Sequence, residues 1–105
     1  MSKPLLTEPE ASGELEDSAW WFEGQRSGLG QRFFDAVDAS VERISRFPQS
    51  GALYPQVPPD LEIRRVPVKR FPYHVVYLET AEAIRILAVA HDRRRPGYWL
   101  SRIER

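Results

Sequence analysis

Residues 7–37, TEPEASGELEDSAWWFEGQRSGLGQRFFDAV, decide the fold. Thr7, followed three residues later by Glu10, reads as a capping box, with Pro9 in the first turn. A helix is predicted from Glu8 to Gln25. Ala11, Leu15, Ala19 and Phe22, with Ser18, recur on one face at helical spacing. Glu8, Glu10, Glu14, Glu16 and Asp17 crowd the first turns, where the macrodipole favours anions. Gly28 and Gly30 then provide the backbone freedom for a tight turn between antiparallel helices. Gly-Leu-Gly before a helix also suits a phosphate, but the turn is the better reading. The second helix is predicted from Leu29 to Phe47, with a buried stripe of Leu29, Phe33, Val37, Val41 and Ile44 and with Ser40 between. Pro48 ends it, because the residue before proline disfavours helical angles. The pair is an αα-hairpin. Trp20 and Trp21 lie about 100° apart round the helix, so they cannot share the centre of its buried stripe. Both are expected to pack, one at the edge of the helix–sheet interface.

Working outward, residues 4–6 form a short edge strand, with Pro4 tolerated at its start. After the hairpin, Pro48, Pro55, Pro58 and Pro59 mark one loop region. Three strands are predicted beyond it. Residues 61–68 (LEIRRVPV) alternate in part and bend or end at Pro67. Residues 73–79 (YHVVYLE) are β-branched and aromatic. Residues 84–91 (IRILAVAH) are almost continuously apolar, as in a strand covered on both faces. The tail from Asp92 is basic and reads as a short helix or an ordered strap. The order is β-α-α-β-β-β: a single α+β domain over residues 1–105, with a helical hairpin packed on a small antiparallel sheet.

The chain has 105 residues, a formal net charge of zero and no cysteine. That length supports one core, and the missing cysteines exclude disulfides, thiolate zinc sites and a cysteine nucleophile. Two histidines 17 residues apart, without carboxylates at ligating spacing, argue against a metal. No cofactor is expected. No apolar run reaches the roughly 18 residues of a membrane span, and no signal-peptide core is visible, so a cytoplasmic location without membrane contact is expected. The zero net charge conceals a division. Residues 1–42 carry nine acids and three bases; residues 43–105 carry twelve bases and six acids. A basic face on a neutral chain follows.

These stretches resemble the RelE/ParE superfamily of type II toxin–antitoxin toxins, including members described as plasmid-stabilisation proteins. The resemblance is carried by residues 7–37, by KRFPYHVVYLE at residues 69–79 and by ILAVAHDRRRPGYW at residues 86–99, in family order and at family spacing. The short, proline-flanked first strand departs from the family pattern. The resemblance implies a growth-inhibiting toxin neutralised by a cognate antitoxin. ParE-like members inhibit DNA gyrase and are not enzymes. RelE-like members are endoribonucleases that cut mRNA on the ribosome. A third reading is an inactive interaction domain.

RNA cleavage without a metal requires a base for the 2′-hydroxyl, a cation for the phosphate and an acid for the leaving oxygen. His91, Arg94 and Tyr98 are the candidates for catalysis if the chain cuts RNA. A histidine ending an apolar strand also serves as a structural hydrogen-bonding group, and His74, inside a strand, reads that way. Arg65, Lys69, Arg70, Arg93, Arg95 and Trp99 are the candidates for binding target or antitoxin, since Arg and Trp dominate interface hot spots. Alternation places Arg64 and Arg65 on opposite sheet faces. No acid pairs visibly with the basic set, which leans the reading toward ParE-like binding. The antitoxin is expected to supply an acidic, apolar segment that wraps the toxin.

Overall fold

A computed structural model describes residues 3–58 and 60–104. Pro59 of the proline loop lies outside the described residues. The elements are β1 (Leu5–Thr7), α1 (Pro9–Gln25), α2 (Leu29–Arg46), β2 (Ala52–Leu53), β3 (Ile63–Pro67), β4 (Tyr73–Glu79) and β5 (Ile84–His91). A 3-10 turn, Leu100–Arg102, follows in the tail. The helical hairpin covers one face of a five-stranded sheet ordered β1-β5-β4-β3-β2.

The sheet is mixed and not wholly antiparallel, because β1 runs parallel to β5 with Leu5 opposite Ile84 and Thr7 opposite Ile86. The two-residue β2 pairs with β3 inside the segment expected to be loop. The predicted capping box does not form. Thr7 is held in β1, Glu8 takes the N-cap position with no side-chain cap bond, and its amide donates to the Ile86 carbonyl at 2.9 Å. Strand pairing therefore extends the backbone up to the first residue of the helix. The Glu8 carboxylate accepts from Arg85.

The hairpin turn depends on its glycines. Gly28 has φ +88°, an angle that costs an L side chain about 1–2 kcal/mol. At Gly30 an added Cβ would lie 2.6 Å from the Ala19 carbonyl, so only glycine lets the helices approach this closely. The Glu23 carboxylate accepts from the amides of both Gly28 and Gly30. It therefore occupies the N-terminus of α2 that a phosphate would need.

Phe33, Val37 and Ile44 on α2 and Ala11 and Ala19 on α1 pack on Val66, Val75, Tyr77, Ile84, Ile86 and Val89. Each large aliphatic or aromatic side chain buried there contributes about 1.5–3 kcal/mol. The opposite sheet face has its own core of Ile63, Val76, Leu87, Ala88 and Ala90, roofed by Tyr54 and Trp99. The apolar run Ile86–Ala90 within β5 serves cores on both faces of the sheet, and its register has a local irregularity. Tyr77 pairs with Ile86 and Val76 with Ala88, leaving Leu87 as a bulge, so Leu87 and Ala88 both enter the second core.

Trp20 does not pack as predicted and is 81% exposed; Trp21, 60% exposed, lies edge-on to Phe22 at the rim of the helix–sheet interface, the edge position expected for one of the pair. Ala11, Leu15, Ala19 and Phe22 already fill the helix face, leaving both indoles outside it. Trp99 is fully buried in the second core and presents no surface to a partner, contrary to its place among the binding candidates.

Candidate binding site at the basic end of the sheet

The β3–β4 turn and the segment after β5 meet at one end of the sheet. Tyr73 pairs with His91, and the Asp92 amide donates to the Pro72 carbonyl at 2.8 Å. The turn is tight: the Val68 amide donates to the Tyr73 carbonyl, and Arg70 takes φ +73°. Phe71 and Tyr73 stack edge-on against Phe22 and Phe33, fixing the turn to the hairpin. After β5, His91 Nδ1 accepts the Arg93 amide at 3.0 Å and the His91 carbonyl accepts the Arg94 amide at 2.9 Å. These bonds direct the chain across the sheet end.

Between hairpin and sheet this end leaves a notch of about 390 Å³, lined by Trp21, Phe22, Pro72, Tyr73 and His91. Lys69, Arg70, Arg93 and Arg95 are exposed close by, and their side chains make no hydrogen bond or ion pair among the described residues. An aromatic notch beside unpaired cations suits an apolar anchor flanked by carboxylates. Among the described residues, no cluster of histidine, cysteine and acidic side chains fits a metal ion. No described helix is long and apolar enough to cross a membrane.

A family model described as the ParE toxin of the type II toxin–antitoxin system parDE matches residues 5–96. The chain belongs to the ParE toxin family. A solved structure titled as the chromosomal ParDE toxin–antitoxin system from P. aeruginosa shares the fold, with a TM-score of 0.65 and 16% identity over 85% of this chain and 95% of that one. No curated protein matches the sequence.

In this ParE-family chain the predicted site residues divide among four places, one of them the second core that holds Trp99. Lys69, Arg70, Arg93 and Arg95 share the basic end. Arg65 belongs to a different groove. Its guanidinium lies 5.1 Å from the Tyr54 ring centroid, and it lines a space of about 530 Å³ with Arg43, Ser50, Pro67, His74 and Asp92. His74 is buried there, with Nδ1 on Asp92 at 2.9 Å and Nε2 3.4 Å from the Tyr54 hydroxyl. Both ring nitrogens are engaged, so His74 ties β4 to the segment after β5 and to the second core.

Of the three catalytic candidates, Arg94 and Tyr98 come together, with the guanidinium 3.9 Å from the ring centroid. His91 instead lies against Tyr73 in the notch, at 5.1 Å between ring centroids. The Tyr98 hydroxyl donates to Glu14 Oε2 at 2.7 Å. Burial, then that bond and the charge of Glu14, push its ionisation well above the ordinary tyrosine range.

Glu14 is the residue that sequence reasoning missed. Its carboxylate accepts from the Val89 amide, the Tyr98 hydroxyl and both terminal nitrogens of Arg102. Arg102 also donates to the carbonyl of the bulged Leu87 at 2.8 Å. Burial is the largest single influence on Arg102 and opposes its charge, but the bond to Glu14 and the charges of Glu14, Tyr98 and Glu10 together outweigh it and hold its pKa above the ordinary arginine value. The available signal was position: Glu14 falls three residues after Ala11 and four before Ser18, on the buried side of α1.

Proposed function

We propose that this ParE-family toxin acts by binding, with DNA gyrase as its target, and that its antitoxin neutralises it at the basic end of the sheet. The observation that carries the antitoxin reading is the open notch of Trp21, Phe22, Pro72, Tyr73 and His91, beside Lys69, Arg70, Arg93 and Arg95, whose side chains are unpaired among the described residues. An acidic, apolar segment places one large side chain in the notch and carboxylates on the arginines. Such pairs are charge-assisted and, for arginine, bidentate. The segment pays its ordering entropy on binding, so contact is expected to form through a few strong anchors. Binding without RNA cleavage is supported by the commitment of Tyr98 to Glu14 and by the direction of His91 toward Tyr73. A hydroxyl whose ionisation is pushed up in this way is a poor proton donor near neutral pH.

The test is to express the chain alone, assay gyrase supercoiling of relaxed plasmid, and map messenger cleavage in the same cells. Gyrase inhibition with intact messenger is expected. Ribosome-dependent cleavage lost in His91→Ala and Arg94→Ala would replace this reading with the RNA-cleaving one. A folded chain without any growth effect would leave an inactive interaction domain.

A further inference from the structure

We propose that the groove on the outer face of the helical hairpin is a self-association site, filled by the basic end of a second copy of this chain. The groove, about 630 Å³, runs between α1 and α2, with Trp20 and Phe34 on its walls and Gly28 and Gly30 at one end. Trp20 is the most exposed large apolar side chain among the described residues, at 81%. An exposed indole beside a half-buried phenyl ring is the composition of an interface and is costly to leave in water.

The electrostatics select the occupant. Glu16 and Asp17 line the groove, are exposed, and make no hydrogen bond or ion pair among the described residues. Glu23, also in the lining, is engaged by the two glycine amides but still contributes its charge. The hairpin's own bases, Arg26, Arg32, Arg43 and Arg46, do not line the groove. An acidic groove with an open indole face favours arginine, which pairs with carboxylates and stacks on tryptophan. It repels an acidic segment.

This chain carries a surface of the required chemistry in the segment that follows β5. Arg93 and Arg95 are exposed and their side chains are unpaired among the described residues. The two surfaces also adjoin. Trp20 lines the acidic groove, and the next residue, Trp21, lines the notch at the basic end. Neighbouring patches of opposite sign let a two-fold axis between two copies place each groove over the other's arginines. The contact is then made twice and closes at a dimer. The zero net charge removes the long-range repulsion that would oppose such pairing. This inference does not depend on which target the toxin poisons.

Sedimentation velocity on the purified chain, over micromolar concentrations and at two ionic strengths, tests it. A dimer is expected at low salt that dissociates near ~0.5 M salt, where screening is strong. Trp20→Ala, or Glu16→Lys with Asp17→Lys, should weaken it at least about tenfold. Arg93→Glu with Arg95→Glu should do the same, and combining the two reversals should restore association. Circular dichroism should be unchanged throughout, since every altered side chain is exposed. A chain that is monomeric under all conditions overturns the proposal. So does a dimer indifferent to Trp20→Ala, or reversals that fail to rescue each other. A chain that is monomeric alone, yet binds a co-expressed antitoxin through Trp20, also overturns it and gives the groove to the antitoxin.

Discussion

Glu14 and Arg102 join the first helix to the tail through two hydrogen bonds of 3.1 Å, one to each carboxylate oxygen. The side chains are only 16% and 10% exposed, so neither charge is well solvated without the other. Glu14→Ala strands a guanidinium, a hydroxyl and a backbone amide together. The expected loss is about 3–5 kcal/mol, read as a lower urea midpoint. Glu14→Gln keeps one acceptor oxygen and should lose less.

The Tyr98 hydroxyl gives the fold a dependence on alkaline pH. Its folded ionisation is raised above the unfolded value of about 10 by burial and by Glu14. The stabilisation is therefore complete below pH ~10 and is lost as pH rises from there through the folded value. Tyr77, raised by burial, acts in the same direction. Thermal melts of the wild type should fall steeply above pH ~10, and Tyr98→Phe should flatten part of that fall.

Two glycine-to-alanine substitutions should have opposite signs. Gly13 lies inside α1 with nothing within 4 Å of an added Cβ, so Gly13→Ala should stabilise by about 0.5–1 kcal/mol. Gly30→Ala drives a methyl group into the Ala19 carbonyl and pushes the helices apart. It should cost about 1–3 kcal/mol, measured by the same denaturation series.

Arg70 separates stability from binding. It is the only non-glycine residue with positive φ among the described residues. Arg70→Gly should stabilise the fold by up to about 1–2 kcal/mol by removing that strain. It should also weaken antitoxin binding through the lost charge. Calorimetric titration beside a thermal melt would show the two effects diverging. Equal antitoxin affinity would remove Arg70 from the contact.

The tryptophans should part company on truncation. Trp99→Ala empties the roof of the second core and should cost about 3–5 kcal/mol. Trp21→Ala removes a mostly exposed ring and should change stability by about 0.5 kcal/mol or less while weakening antitoxin binding. A denaturant curve for each variant distinguishes the two roles.

What could be read from the sequence was mostly local. The spacing of Phe33, Val37 and Ile44 identified the buried stripe of α2, and Gly28 and Gly30 identified the turn, because helical period and backbone freedom act over a few residues. The parallel direction of β1 was hidden, since its partner Ile84 lies nearly the whole chain away. The Leu87 bulge was hidden inside an unbroken apolar run. The cap at Thr7 misled because strand pairing outweighed a local side-chain bond. At the site, the arginines after β5 were visible as a charge run. Glu14 was one acid among many, and Trp99 looked like an anchor because its covering core is assembled from β3, β4 and β5 together.

The Glu14–Arg102 pair also does for β5 what a neighbouring strand would do. β1 covers that edge only as far as Ile86. Beyond it, the Val89 amide is taken by Glu14 and the Leu87 carbonyl by Arg102. An edge with open amides and carbonyls recruits strands from other molecules, and here two side chains act as the stopper. Losing the last few residues would therefore do more than shorten a terminal turn. It would uncork the end of the sheet, and the expected product is strand-by-strand aggregation instead of a slightly weakened monomer.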